Sequence, residues 1–353
     1  MNFDQLLKRP TAWQTRDHST GIVVSSRVRL ARNLPDLPFP GWADDAARMK
    51  AWNRIQPVVT SLPSLPDCFS CGLGDLTKLD RQMLFERNVI SREHAERNEG
   101  GGIVVAPDTG VSIMVNEEDH LRIQAFDAGL RLQECLAKAD RADTEIESRL
   151  DYAFSPKLGY LTACPSNVGT GMRASVMLHV PGLVLMEEIS AVVRGLGKID
   201  LAVRGLGGEG SEAIGNLFQV SNQITLGGVE AEVVDGFHKI ILDLVQTETD
   251  ARLRLREDRE TLLRNHVGRA FGILTNAWLL STKETLDLLS AVRLGIDLGM
   301  ITGADPAVVD ELFLLTRPGH LQKLMGRRMK AGERDEFRAS LVRGKLAGTK
   351  LNA

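Results

Sequence analysis

The hydrophobic periodicity of this chain changes character once, near Glu230, and that change limits the folds open to it more than any bulk property does. Before it, short apolar runs with two-residue alternation are interleaved unevenly with amphipathic stretches. Residues 22–33 read as a strand that ends before Pro35 and Pro38, and 103–106 and 111–115 read as a hairpin across Pro107-Asp108-Thr109-Gly110. Further strands are expected at 121–126, 174–180, 199–203 and 218–226. Helical spacing covers 43–59, 80–96, 131–150 and 185–196, with a Pro/Gly/Cys-rich loop at 61–76 and a breaker at Gly100-Gly101-Gly102. Beyond Glu230 the pattern is almost purely helical: a long charged stretch at 233–256, then 262–280, 282–298, 306–315 and 333–346. The expected fold is α+β, an antiparallel sheet flanked by helices over residues 21–255, followed by an all-helical C-terminal domain over 256–353.

At 353 residues the chain is long enough for two cores. A formal net charge of -3 argues against nucleic acid or an anionic membrane as the main partner. The first ten residues are polar and no apolar run approaches the ~20 residues of a membrane helix, so a cytoplasmic protein without a membrane partner is expected. Four cysteines are present. Cys68 and Cys71 form half a zinc site with no second half in the sequence, so no metal ligand is assigned. Cys135 falls on the apolar face of a helical pattern and reads as core.

Cys164 opens a denser segment, Cys164-Pro165-Ser166-Asn167-Val168-Gly169-Thr170-Gly171-Met172-Arg173, which leads into the strand at 174–180. Small residues let backbone approach a ligand closely, and an arginine at the mouth of a strand presents a planar fork of donors to phosphate. Three more segments concentrate chemistry: Ser25-Ser26-Arg27-Val28-Arg29-Leu30-Ala31-Arg32-Asn33, Asn116-Glu117-Glu118-Asp119-His120-Leu121-Arg122, and Arg204-Gly205-Leu206-Gly207-Gly208-Glu209-Gly210. No G-x-x-x-x-G-K-[ST] occurs, so a phosphate-binding lysine loop is excluded.

These four segments, in this order over residues 21–252, resemble the phosphagen (guanidino) kinases, which move the γ-phosphoryl of ATP onto a guanidinium nitrogen. The resemblance implies that Arg27, Arg29, Arg122, Arg173 and Arg204 clamp the phosphates of ATP. It places Ser25, Ser26, Val28, Ala174, Ser175, Val176, Met177, Gly205, Leu206, Gly207 and Gly208 around the nucleotide. Mg²⁺ would be carried chiefly on phosphate and water. A guanidinium is protonated at neutral pH, so its nitrogen needs a carboxylate to aim it and take a proton. Glu118 is expected as that base and Glu209 as the orienting partner, with Glu117 and Asp119 in supporting roles. Cys164 has two readings, a thiolate favoured by cationic neighbours or a small structural residue. Arg32 and His120 read as structural. Where relatives carry a nucleotide-contacting histidine, this chain has Asn88, with His94 nearby as an imperfect substitute or a surface residue.

Within that family the chain resembles the bacterial protein-arginine kinases (McsB type). Those kinases have a helical tail, whereas creatine and arginine kinases carry a helical domain ahead of the catalytic one. Only about twenty residues precede Gly21, too few for such a domain. Arg334-Asp335-Glu336-Phe337-Arg338-Ala339 fits the R-D-x-x-R-A pattern that implies an allosteric phosphoarginine pocket. Arg334 and Arg338 are expected on one helix face, with Asp335 and Ala339 completing the site. The implied partners are proteins with accessible arginines, an activator protein, a Clp ATPase/protease that degrades marked proteins, and a second copy of the chain. A free-guanidino kinase and a non-catalytic phosphoarginine-binding adaptor are the competing readings.

Overall fold

The computed structural model describes residues 3–8, 21–97, 99–205 and 213–352. In chain order the elements begin with α1 (Phe3–Lys8), β1 (Val23–Arg32), α2 (Asp45–Thr60), β2 (Phe69–Gly72), α3 (Lys78–Glu86) and α4 (Arg92–Glu96). Then come β3 (Gly102–Ala106), β4 (Val111–Val115), β5 (Leu121–Ala128), α5 (Leu132–Glu147), and a two-strand ribbon of β6 (Phe154–Ser155) and β7 (Gly159–Tyr160). They are followed by β8 (Met172–His179), α6 (Pro181–Leu185), α7 (Ile189–Gly197), β9 (Leu201–Gly205) and β10 (Leu217–Asn222). The rest is helical apart from β11 (Ile301–Thr302) and β12 (Lys350–Leu351): α8 (Glu230–Asp258), α9 (Glu260–Asn276), α10 (Thr282–Asp297), α11 (Pro306–Leu315), α12 (Pro318–Leu324) and α13 (Ala331–Lys345).

The main sheet has eight strands in the order β2-β3-β4-β5-β1-β8-β10-β9, and the pairs from β2 through β5 to β1 are antiparallel. The chain divides into two compact units, one mainly Ser25–Val176 with Ser221–Ile240, the other mainly Met177–Val220 with Ile241–Ala353. Packing therefore groups residues 177–220 with the helical part, and α8 runs on past residue 255 without a break. Among the described residues no helix is long and apolar enough to cross a membrane.

Local sequence accounts for most boundaries. Asp44 caps α2, its side chain accepting from the Ala47 N–H, and Thr77 with Asp80 forms a reciprocal capping box on α3. In α5 the buried positions Leu132, Cys135, Ala139, Ala142 and Ile146 fall three and four apart, the stripe of a helix covering a sheet. In the second unit, Glu248 of α8 accepts from the Gly182 and Leu183 N–H groups at the start of α6. Ion pairs then run from Glu248 through Arg252, Asp297 and Arg293 to Asp310. These groups are buried or nearly so, and their mutual pairing offsets a desolvation cost that none could bear alone.

Several expectations are corrected. The loop expected at 61–76 contains β2, which has no alternation of its own and is held by backbone pairing to β3. The single helix expected at 80–96 breaks into α3 and α4 because Asn88 takes a left-handed conformation at φ 58, one that asparagine tolerates better than most residues. The helix expected at 185–196 starts later, as α7 from Ile189, and is preceded by the short α6. Residues 277–280 are not helical, and α12 has no counterpart among the expected helices.

The close approach of α2 to β3 depends on Gly102, where a Cβ would overlap the Trp52 ring. Gly102→Ala is expected to destabilise the protein by about 1–3 kcal/mol through overpacking. Denaturant unfolding read at tryptophan emission checks this; an unchanged midpoint would mean that Trp52 can shift freely.

Candidate active site

β1 alternates between two environments, and that alternation builds the site. Arg27, Arg29 and Ala31 lie opposite Phe126, Gln124 and Arg122 of β5, directly paired across the ladder. Paired residues in a sheet share a face, so three arginines project from one side of adjoining strands. Arg27 lies 5.1 Å over the Phe126 ring and donates from Nε to Ser175 Oγ of β8 at 3.3 Å. That bond puts Ser175 on the same face, and Arg173, two residues earlier, with it. Ser25 begins the row.

Four guanidinium groups thus share one sheet face, and their charges act on one another. Burial lowers the Arg27 pKa to about 10, with Arg122 and Arg173 adding repulsion. Arg29 is held well below its ordinary value by burial first, then by Arg27, Arg122 and Arg173, with Glu117 pulling the other way. Its Nε is buried without a hydrogen-bond partner. A cluster of partly buried like charges is suited to a polyanion.

The turn between β4 and β5 supplies the carboxylates, closed by the Asn116 N–H donating to the His120 carbonyl at 3.0 Å. Glu117 is only 5% exposed. It accepts from Ser91 Oγ at 2.6 Å, the Glu118 N–H at 2.9 Å and Arg122 Nη1 at 2.5 Å. Burial opposes its ionisation, but Arg122 and these hydrogen bonds outweigh it and leave its pKa lowered. Asp119 Oδ1 accepts from Asn33 Nδ2 and the Ala163 N–H, each at 2.7 Å, which ties the acidic turn to the residue before Cys164. Burial raises the Asp119 pKa against those bonds.

Glu118 differs from both. Its side chain is 42% exposed and its ion pair with Arg122 is a loose 3.6 Å. Burial raises its pKa; Arg122 opposes this, Asp119 and Glu117 add to it, and Arg173 opposes it again. Glu118 is therefore the carboxylate of the turn with capacity left for a cationic ligand, beside the arginine row.

Other residues fall into place around these. Cys164 caps a short 3-10 turn over Pro165–Asn167, with its Sγ 3.0 Å from Ser166 Oγ. Arg173 Nη2 donates to Asn167 Oδ1 of that turn at 3.3 Å. The Asn88 carbonyl accepts from Gln124 Nε2 at 3.3 Å, which fixes its turn against the residue facing Arg29. His120 Nδ1 accepts from the Leu34 N–H at 3.2 Å, and burial pushes its pKa down to about 4, so it is a structural acceptor.

Packing distinguishes the other expected residues. Ser26, Val28, Ala174 and Val176 face away from the arginine row; Val28, Ala174 and Val176 are core, and Ser26 Oγ is spent on the Gly129 carbonyl and the Arg131 N–H. His94 is neither a surface residue nor a substitute nucleotide contact: it is fully buried, bonds the Gly102 carbonyl through Nε2 at 2.9 Å, and burial lowers its pKa to about 4. Met177, Arg204 and Gly205 belong to the second unit, and Leu206, Gly207, Gly208 and Glu209 lie outside the described residues.

The tail motif lies on α13. Arg338 is 1% exposed and donates to the Thr316 carbonyl, the Leu280 carbonyl, Asp335 and Thr282 Oγ1. Arg334 donates instead to the Met329 carbonyl, and Ala339 is core. Four-residue spacing places two arginines near one helix face, but this helix turns Arg338 into the protein, where it ties α13 to the start of α10 and the end of α11.

Glu118→Gln is expected to lower kcat by roughly 10²-fold or more, the scale of a positioned general base. Because the pKa of Glu118 is raised on folding, its ionisation at neutral pH disfavours the folded state, so the Gln variant should melt no lower than wild type. By the same shift, the acid limb of the wild-type rate should lie above the ordinary carboxylate range of about 4.3 and disappear in the variant. Rate profiles and melting curves check this; near-normal turnover would remove Glu118 from the role.

Residues 57–251 match the family model described as ATP:guanido phosphotransferase, C-terminal catalytic domain, and residues 260–353 match the protein-arginine kinase McsB C-terminal domain. The chain is 44% identical over 325 residues to the protein-arginine kinase of Halothermothrix orenii, covering 92% of this chain and 93% of that one. It is 45% identical to that of Desulforamulus reducens, covering 92% of each. The crystal structure of a lombricine kinase shares the fold with a TM-score of 0.55 at 24% identity, covering 65% of this chain and 67% of that one. The chain belongs to the ATP:guanido phosphotransferase family and, within it, to the protein-arginine kinases.

Proposed function

We propose that this protein transfers the γ-phosphoryl group of ATP to the guanidinium side chains of arginines in other proteins. The observation that carries the reading is the juxtaposition, on one sheet face, of four mutually repelling arginines with a carboxylate that is not tied down. Arg27, Arg29, Arg122 and Arg173 would bind and align the triphosphate, and Glu118 would receive the acceptor guanidinium. Glu118 takes the proton from the attacking nitrogen as the N–P bond forms and the bond from the γ-phosphorus to the β,γ-bridging oxygen breaks, leaving ADP. Glu117 holds Arg122 in place, and the arginines compensate charge as it shifts toward the leaving oxygen. Glu209 is proposed as a second carboxylate on the acceptor, and Arg204 as a fifth phosphate contact. The guanidinium-rich face fits phosphate oxygens, and among the described residues no cluster of three His, Cys, Asp or Glu could hold a metal. Mg²⁺ accompanying ATP would therefore be held on phosphate and water, neutralising part of its charge.

The proposal extends to context: a cytoplasmic enzyme, where ATP is available, acting on accessible arginines under an activator protein and marking its products for a Clp protease. Residues 256–353 would pair two copies, a reading supported by Trp278 and Leu279, which are exposed on this part of the chain.

Incubation with ATP and Mg²⁺, first with casein and then with free arginine, tests the central statement. Acid-labile phosphate on casein arginines and little on free arginine is the expected result. Equal or faster labelling of free arginine would make the protein a free-guanidino kinase, and no transfer to either would leave a binding protein.

A further inference from the structure

Arg32 is the last residue of β1 and lies on the opposite face from the phosphate-facing row, yet it is 2% exposed. A buried guanidinium persists only where its charge and its donors are all met. Asp143 of α5 meets the charge, its Oδ2 accepting from Nε at 3.0 Å and Nη2 at 2.6 Å. Nη1 donates to the Ala31 carbonyl at 3.0 Å and the Thr170 carbonyl at 2.9 Å. The Tyr160 ring lies against the guanidinium plane with its centroid 3.5 Å from Cζ. One rigid fork thus joins a helix, the end of β1 and the glycine turn.

That turn is shaped to receive it. Gly171 has φ +64, and a Cβ there would sit 2.7 Å from both the Ala31 carbonyl oxygen and Arg32 Nη1, so no other residue lets the fork approach. The Ala31 N–H donates to the Gly171 carbonyl at 2.9 Å, and Thr170 Oγ1 accepts from the Met172 N–H at 3.2 Å. Cys164 and Asn167 precede Thr170, and Arg173 follows it and bonds back to Asn167. The orientation of the Thr170 carbonyl therefore sets where Arg173 and Cys164 stand relative to Arg27 and Arg29.

We propose that Arg32 is a positioning residue: fixed by Asp143 and stacked on Tyr160, it clamps the turn that carries Cys164 and Arg173 onto the strand that carries Arg27 and Arg29. Its effect on turnover rests on the kinase reading above; the clamp itself does not. Lysine at position 32 keeps the charge but has neither the planar fork nor the stacking surface.

The test uses the full-length protein with Arg32→Lys and Asp143→Asn, measuring melting temperature, kcat, KM for ATP, and the iodoacetamide alkylation rate of Cys164 by peptide mass spectrometry. The clamp predicts that Arg32→Lys stays folded, loses about 10- to 100-fold in kcat, the penalty of a small misplacement of reacting groups, and alkylates at Cys164 at least threefold faster. KM for ATP should change less than kcat, because Arg27, Arg29 and Arg122 are untouched. Asp143→Asn should shift the same readouts in the same direction, and it decides the matter alone if Arg32→Lys does not fold. A fall in melting temperature with unchanged kcat and unchanged Cys164 reactivity would make Arg32 merely structural and overturn the proposal. If wild type transfers no phosphate at all, the kinase reading fails while the Cys164 rates still judge the clamp.

Discussion

Repulsion among Arg27, Arg29, Arg122 and Arg173 is the constraint around which the first unit is arranged. Burial lowers the pKa of Arg27 and Arg29, and repulsion from Arg122 and Arg173 adds to it for both. Glu117 relieves it only in part, through Arg122. A fold that selects such an arrangement gives up stability for readiness toward a polyanion, since preorganised charge requires little rearrangement when the ligand arrives. The remaining features hold the cluster in place. Ser91 fixes Glu117, Gln124 fixes the Asn88 turn, and Asp119 joins the acidic turn to Asn33 and Ala163.

The three adjacent acids of the β4–β5 turn show how environment assigns roles to similar groups. Glu117 is buried and fully bonded, so its ionisation is spent on positioning. Asp119 is buried and bonded to backbone and amide, so it serves as a strut. Glu118, half in solvent and loosely paired, keeps its lone pairs for a ligand. Burial raises its pKa, which makes the carboxylate a stronger proton acceptor.

Much of this was legible in the residues. The alternation of β1 places Arg27 and Arg29 on one face, and Pro107-Asp108-Thr109-Gly110 and the acidic turn mark their hairpins. The same alternation, applied strictly, sets Ser26 and Val28 on the other face; reading the motif as one block obscured it. Burial set by tertiary packing was not legible. The spacing of Arg334 and Arg338 gives a shared helix face but not which way that face turns, and Arg338 proves to be among the most completely buried side chains. His94 misled for the same reason. The four residues of β2 carry no periodic signal, because a strand so short is made by its partner. The break at Asn88 had only the weak cue of an asparagine. Arg32 read correctly as structural, but its tie to the glycine turn needs the fold to bring residues 32, 143 and 170 together.

Ligand-dependent melting of an Arg29→Met variant tests most directly the claim that the arginine row is strained without a polyanion. Methionine keeps apolar length and removes the charge whose ionisation burial and three neighbouring arginines oppose. The ligand-free variant should melt at or above wild type, while the rise in melting temperature produced by ATP in wild type should be largely lost. A variant that melts well below wild type without ligand, yet is stabilised by ATP as strongly as wild type, would contradict the account.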